Sequence, residues 1–473
     1  MRLRSISILV LLAIAVPATA DVIHLKNGRT IWADHVRENK GRVEYDVGED
    51  TYAISKTMVE RIDAGGVPPQ FASSSSGTSH DVPDFTPPEP TFSHEGEVVA
   101  KVIHDDRVDT DALAGLERTG NAELAAVGYF LAGKHESEHG NLQQAKRYFE
   151  TALRFQPDNA TLLIYYAANL LHTGHAAEAL PYAEHAARAA PESADAQAML
   201  GFVQFASDHT QDAIRSWKKS LKLRPDATVS QYLAKAERES SAESEFSQHE
   251  SSHFNLHFEG RQTPENFRRD LLAALEYDYD DLVRDLGYEP RNTIIVTLYT
   301  EQAFFDVTQA PSWSGALNDG KLRIPISGVT SVTPQLARIL KHELTHSFVS
   351  QMSGNRCPTW LHEGVAQAEE GKSSAAYGSQ LAQLFAESHE IPYNVLEGSF
   401  MRFSTPEAVL AYAESLAAVE YIRDTYGMSE VHRILEMLTQ GSSTEAALRA
   451  TIHSDYGQLH DDLARWLRDR YGR

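Results

Sequence analysis

The sequence predicts a chain of three folded parts: a small N-terminal β module, an α-helical solenoid of paired helices, and a larger α+β domain at the C-terminal end. Three observations carry that division. Apolar and polar residues alternate over 21–65, at the period of short strands. Between 126 and 228 the same residue types return at a fixed interval of 34. Beyond residue 250, strand and helix patterns lead to a helix that carries two histidines four residues apart.

The first residues form no part of this core. Met1-Arg2-Leu3-Arg4, an apolar run over 6–16 and Ala18-Thr19-Ala20 make the basic start, apolar centre and small-x-small site of a secretory signal peptide over 1–20. A run of about eleven apolar residues is too short to span a bilayer. The expectation is an exported chain, periplasmic or secreted, with no lipid-modified N-terminus and no integral membrane segment after cleavage. Lys and Arg total 43 against 66 Asp and Glu, a formal charge of −23 that argues against nucleic acid or anionic lipid as partner. The single cysteine, Cys357, excludes an intramolecular disulfide and reads as a small packed side chain.

In the β module, Val22-Ile23-His24-Leu25 and Thr30-Ile31-Trp32 flank Asn27-Gly28, a hairpin turn signal. Further strands are expected at 42–45 and 52–54, ending near Ile62. The span 66–105 reads as a disordered linker. It holds Ser73-Ser74-Ser75-Ser76 and Pro87-Pro88-Glu89-Pro90, a composition unsuited to burying a core.

Four series mark the helical array over 106–240. Pro157, Pro191 and Pro225 keep the interval of 34, as do Ala145, Ala179 and Ala213. Gly140, Gly174 and Asp208 form a third series, and Phe149, Ala183 and Trp217 a fourth. Small residues at helix crossings and a proline after each second helix resemble tetratricopeptide repeats. The resemblance implies three repeats, at 126–159, 160–193 and 194–228, with a concave face suited to a peptide or protein partner.

The C-terminal domain is expected over 250–473. His253-Phe254-Asn255-Leu256-His257-Phe258 alternates as a strand, with both histidines read as sheet surface. A helix over 266–285 includes the acidic run 277–281, read as a solvated face. A strand over 293–299 and a short helix over 301–307 follow. Asn318-Asp319-Gly320 marks a turn before 322–326, where Pro325 suits an edge strand because it cannot donate a ladder hydrogen bond.

Thr333, as N-cap, and Pro334, at the first helical position, open the next helix, with Leu336, Leu340, Leu344 and Phe348 on its apolar face. On it lies His342-Glu343-Leu344-Thr345-His346. Residues four apart sit about 40° from one another around a helix, so both imidazoles reach one ion with a carboxylate beside them. Downstream, Trp360-Leu361-His362-Glu363-Gly364-Val365-Ala366 supplies either His362 or Glu363 as a third ligand, since helical neighbours point about 100° apart.

These two stretches resemble the gluzincin metallopeptidases, in which a His-Glu-x-x-His helix is followed by one bearing Trp-Leu-x-Glu-Gly-x-Ala. The likeness runs from about Ser252 to the C-terminus. It implies one zinc ion held by His342, His346 and Glu363, with Glu343 as general base and a peptide or protein as substrate. It also implies that the strand 322–326 pairs with extended substrate. Asn318 and Asp319 stand where the aminopeptidase branch has a glutamate for the substrate amine. The segment Ala411-Tyr412-Ala413-Glu414-Ser415 resembles the start of the helix flanking the gluzincin cleft, which nominates Tyr412 as oxyanion donor, with Tyr393, Tyr377 and His389 in reserve. The contrasting expectation is a binding scaffold in which the repeats do the work and the metal domain is catalytically silent.

Overall fold

The structure is a computed structural model. It describes residues 20–66 apart from 27–29, 34, 40–41, 48–49 and 57–58, then Phe92, and 95–472 apart from 261–262, 291–292, 309–315, 327–328, 330 and 401–402. Residues 1–19 of the expected signal peptide, the Asn27-Gly28 turn and most of the expected linker lie outside the described residues. The described residues fall into two compact units, the N-terminal strands and the rest of the chain.

Six strands build the first unit: β1 (Ala20–Leu25), β2 (Thr30–Ala33), β3 (His35–Asn39), β4 (Arg42–Val47), β5 (Asp50–Ser55) and β6 (Val59–Gly66). They form two antiparallel three-stranded sheets, ordered β2-β1-β6 and β3-β4-β5. Ile23 and Val43 are fully buried, with Val36, Val59 and Ile62 packed against them.

The second unit opens with α1 (Glu95–Val102), inside the span whose composition predicts a linker. Val98 and Val102 bury its one apolar side, enough to hold a two-turn helix against the array. The ribbon β7 (Ile103–His104) and β8 (Arg107–Val108) and the helix α2 (Thr110–Arg118) lead into the repeats. These are α3 (Ala122–Glu138) with α4 (Leu142–Phe155), α5 (Ala160–His172) with α6 (Ala176–Ala189), and α7 (Ala194–Ala206) with α8 (Thr210–Leu223). The helix α9 (Ala227–Ala242) closes the stack. Side chains of Asn121, Asn159, Ser193 and Asp226 cap the first helix of each pair and α9. The small residues of the period allow close packing: a Cβ on Gly201 would lie 2.5 Å from the ring of Trp217. Along α5, Leu162 to Leu171 are all buried, so this stretch offers no open inner face.

At the turn inside each pair, the third series of the period sits in the left-handed region, with φ of 76° at Gly140, 76° at Gly174 and 63° at Asp208. A side chain there costs about 1 kcal/mol relative to glycine. The carboxylate of Asp208 has a use that offsets this. It accepts from Lys321 Nζ at 2.7 Å and lies 3.3 Å from His257 Nε2, both in the C-terminal domain.

That domain holds a five-stranded mixed sheet ordered β12-β13-β11-β10-β9. In chain order its elements are β9 (Phe246–Glu250), β10 (Phe254–Glu259), α10 (Glu265–Leu286), β11 (Ile294–Tyr299), α11 (Glu301–Thr308), β12 (Leu317–Asn318) and β13 (Leu322–Pro325). Then follow α12 (Pro334–Ser353), α13 (Thr359–Glu369), α14 (Gly378–Ala386), α15 (Tyr393–Leu396), α16 (Thr405–Tyr426), α17 (Met428–Thr439), α18 (Thr444–Ile452) and α19 (Tyr456–Tyr471). The strand expected to form the sheet edge is one place further in. β12 covers β13 at Leu317↔Arg323 and Asn318↔Leu322, because the tight turn at Asn318-Asp319-Gly320 folds the chain back on itself.

Two surface readings change, because the array covers His257 and the C-terminal domain's own helices cover His253 and part of the acidic run. His257 is only 5 % exposed and faces Asp208, while His253 stacks on Tyr279 at 3.8 Å and bonds to Glu276. Within the acidic run, Tyr277 is exposed, but Asp278 and Tyr279 are buried and Asp281 pairs with Lys341. Burial pushes the Asp278 carboxyl up to about 6.

The array and the C-terminal domain are joined by a buried charge cluster. Arg323 donates to Asp319 at 2.9 Å, to the Tyr299 hydroxyl at 2.7 Å and to Glu239 of α9 at 2.9 Å. Lys321 also reaches Glu239, and Lys235 of α9 donates to Asp319 at 2.9 Å. Further along, Arg356 donates to the carbonyl of Gly140, and Asn355 to that of His172 at 3.4 Å. Each of the three repeats thus reaches the domain from the region of its internal turn.

Candidate metal centre

The helix α12 begins as its sequence dictates. The Thr333 side chain accepts from Leu336 N, Pro334 occupies the first turn, and Gly354 ends the helix with φ 57°. Leu340, Leu344 and Phe348 are fully buried, which turns His342, Glu343 and His346 into the interior beside α13. Asn318 fixes the helix to the sheet, donating from Nδ2 to the carbonyl of Glu343 and to Ser347 Oγ, each at 2.7 Å.

The second helix is brought close by a glycine. A Cβ on Gly364 would lie 2.4 Å from the carbonyl oxygen of Ser415 on α16, so no other residue permits this crossing without a shift. Glu363, the preceding residue, then faces α12. Its Oε2 lies 3.7 Å from His342 Nε2 and its Oε1 3.9 Å from His346 Nε2. The ligand atoms of His342, His346 and Glu363 all lie within 4.8 Å of one another, and all three residues are buried. His362 is not part of this group. It stacks on His346 with ring centroids 4.6 Å apart, and its Nε2 lies 3.0 Å from Ser350 Oγ.

The sequence reading missed Glu370. Its Oε1 lies 3.0 Å from His342 Nδ1, and Lys372 holds the same carboxylate at 2.9 Å. A carboxylate can only accept, so Nδ1 of His342 carries the proton and Nε2 presents its lone pair to the group. Burial opposes ionisation of Glu370, and the bonds to His342 and Lys372 overcome it, leaving its carboxyl below the ordinary value. A signal was present: Glu370 lies seven residues after Glu363, two turns on and within about 20° of the same face.

The electrostatics call for a cation. His342 Nε2 and all four carboxylate oxygens of Glu343 and Glu363 are buried without a hydrogen-bond partner. Burial, then repulsion from Glu370, pushes the Glu343 carboxyl up to about 8. Burial, then Glu343, drives Glu363 far above the ordinary range. Orphaned acceptors of this kind cost about 1–3 kcal/mol each unless something satisfies them. Two imidazole nitrogens and a carboxylate oxygen around one point form a donor set that fits a divalent metal ion. Burial, then Glu363, also raises the thiol of half-buried Cys357, which keeps it an inert side chain beside the centre.

Tyr412 lies on α16 against α13, where its carbonyl accepts from Gln367 Nε2 at 3.0 Å. Its ring packs edge-on against Phe400, with centroids 5.4 Å apart, and the residue is 7 % exposed. Among the reserves, Tyr393 is buried between Trp360 and Tyr456, and Tyr377 packs at the rim of the core. His389 is exposed beside Glu387.

Among known proteins, the sequence pattern of the Peptidase MA superfamily matches residues 280–469. No curated protein matches the chain. Similar solved structures are MamA from residue 41 onward of Desulfovibrio magneticus RS-1, and the MamA RS-1 ArsTM double mutant. Each is 23% identical, covers 28% of this chain and 75% of its own, and has a TM-score of 0.25. The stacked-pair reading of the array rests instead on the period of 34 and on the helices that follow it. With its buried His-His-Glu group and its match over residues 280–469, the C-terminal part of the chain is a Peptidase MA superfamily domain.

Proposed function

We propose that this domain is a zinc-dependent peptidase of an exported protein, with Glu343 as general base and His342, His346 and Glu363 as the metal ligands. The observation that carries the reading is Glu343 itself. It is a fully buried carboxylate with no hydrogen-bond partner among the described residues, next to His342 and three residues before His346. A site that only held a metal for structure would have no use for it.

When bound, zinc would supply Lewis-acid polarisation of the scissile carbonyl and make a nearby water more acidic. The protein does the rest. Glu370 holds the ring of His342 in one tautomer, Asn318 fixes the height of α12 against the sheet, and Gly364 sets the depth of Glu363. Glu343 takes the proton of the attacking water and passes it to the leaving nitrogen. Export is proposed from the pattern of residues 1–20 alone. The repeats are built into the same unit as the catalytic domain. Recruitment of a substrate or adaptor by the array would need a surface other than α5, which is buried along Leu162 to Leu171.

The metal assignment has a direct test. The purified protein is expected to carry close to one zinc per chain by elemental analysis, and His346→Ala and Glu363→Ala should each lose most of it. His362→Ala should keep it, because that ring points to Ser350. Zinc retained by Glu363→Ala and released by His362→Ala would reverse the assignment.

Tyr412 is proposed as the oxyanion donor. Tyr412→Phe keeps the contact with Phe400 and removes only the hydroxyl. A donor role predicts a fall in kcat of about 10²–10³-fold with zinc content and melting temperature unchanged. Unchanged kcat would make Tyr412 a packing residue.

A further inference from the structure

Outside the buried centre, one more set of metal-ligating side chains converges among the described residues. The strands β7 and β8 are joined by Asp105 and Asp106, both left-handed, with φ of 47° and 60°. This tight turn carries Asp106 to the last turn of α3, where His135 and His139 lie four residues apart on one face. The ligand atoms of Asp106, His135 and His139 all lie within 4.8 Å of one another. The two imidazole centroids are 4.2 Å apart, with the rings inclined by 38°.

Proton placement leaves a specific gap. His139 Nδ1 lies 2.8 Å from the carbonyl oxygen of His135, which can only accept, so Nδ1 carries a proton. In the neutral ring Nε2 is then an acceptor, yet it lies 3.1 Å from Asp106 Oδ2, another acceptor. Two lone pairs at that distance repel unless a cation lies between them. The cation is either a second ring proton or a metal ion. His135 brings a second imidazole to the same place; by the same rule its Nε2, 3.2 Å from the carbonyl oxygen of Asp106, carries the proton of the neutral ring, and His135 would give up that bond to ligate an ion through Nε2. A proton held between His139 and Asp106 needs no second imidazole, whereas a metal ion uses all three groups.

We propose that Asp106, His135 and His139 form a second metal site, selective for a borderline transition-metal ion such as zinc over calcium or magnesium. Two nitrogen donors and one carboxylate oxygen match that class, since calcium and magnesium call for oxygen ligands. The site is more exposed than the buried group, so water fills its remaining positions and it binds more weakly. Its position gives it a job. A bound ion would staple the β7–β8 ribbon to α3, beside Gly140, where Arg356 joins the first repeat to the C-terminal domain. The site uses none of the residues of the proposed catalytic centre and stands or falls apart from it.

The test is zinc chloride titrated calorimetrically into the chelator-stripped full-length protein, with bound zinc counted by elemental analysis after dialysis. Two classes of site are expected. His346→Ala should remove the tighter one and keep the weaker. His139→Ala and Asp106→Asn should each weaken the second class by at least about tenfold and leave the first intact, since even residues that merely support a ligand are worth about that much. His185→Ala is the control, because His185 pairs with Asp158 at 2.9 Å in a comparable exposed arrangement but belongs to no three-residue ligand group among the described residues. Calcium chloride in place of zinc should give no second class. A wild type with no second class overturns the proposal and leaves an ion pair only. A second class that survives both His139→Ala and Asp106→Asn, or that His185→Ala weakens equally, overturns it as scattered surface binding. Loss of the tighter class alone bears on the catalytic reading and leaves this one standing.

Discussion

Glu343→Gln is expected to lower kcat by about 10²–10⁴-fold, the range that one positioned general base contributes, while the protein keeps its full zinc content. The substitution preserves volume and leaves the bond from Asn318 to the residue 343 carbonyl, so α12 keeps its place. It removes a proton-accepting carboxylate that lies beside the proposed metal ligands and is not one of them. Burial already disfavours the charged form of Glu343, and Glu370 adds repulsion, so the neutral amide should fold at least as readily as the carboxylate. Stability of the metal-free variant is therefore expected to match or exceed wild type at neutral pH. The measurement is cleavage of a peptide library by both proteins at equal zinc loading. Equal cleavage by the two would remove Glu343 from the mechanism. If zinc-loaded wild type cleaves nothing across the library, the catalytically silent scaffold becomes the better reading.

Much of that centre was legible in the sequence because it is local. Two histidines and a glutamate within five residues, opened by Thr333 and Pro334, specify a helix and one face of it. The segment 360–366 supplies the partner helix, whereas the close crossing at Gly364 is visible only in the fold. The sequence left the choice between His362 and Glu363 to family resemblance. The structure places Glu363 in the group and turns His362 to Ser350. Glu370 lies beyond the motif, although its spacing from Glu363 puts it on the same face. The contacts of Asp208, His257, Lys321 and Arg323 were a different kind of omission. Lys321 meets Asp208 across 113 residues and Arg323 meets Glu239 across 84, and periodicity over a few turns carries no information at that range. One clue was visible. Asp208 stands where the other two repeats have glycine, and a residue that accepts a left-handed backbone in place of glycine usually has a second task.

The largest expected effect on stability lies in that long-range cluster. Glu239→Ala is expected to destabilise the unit containing the array and the C-terminal domain by about 3–5 kcal/mol, the usual cost of removing one partner from a buried ion pair. Glu239 is completely buried on α9 and Arg323 is 1 % exposed on β13, so neither charge can turn to water when the other is deleted. Asp319 still compensates Arg323, and Asp208 still compensates Lys321. Those two carboxylates and Glu243, 3.8 Å from Arg323, then face Arg323, Lys321 and Lys235, so the formal charges balance, but Arg323 and Lys321 each lose a direct bond to Glu239 that no water can replace. The pH dependence distinguishes this charge effect from lost packing. Burial alone would raise the Glu239 carboxyl, but Arg323 and Lys321 outweigh it and hold it at about 2. A carboxyl depressed in the folded state contributes stability above its unfolded value of about 4.3, and that contribution is lost as pH falls toward the folded value. Urea unfolding of wild type and Glu239→Ala should therefore differ most near pH 7, with the gap narrowing steadily between about pH 4 and pH 2. Glu239→Gln, which keeps the shape and loses the charge, should show the same narrowing from a smaller gap. A difference that stays constant over that pH range would mean that Glu239 matters for its packing alone, and the array would be held to the C-terminal domain by its other contacts.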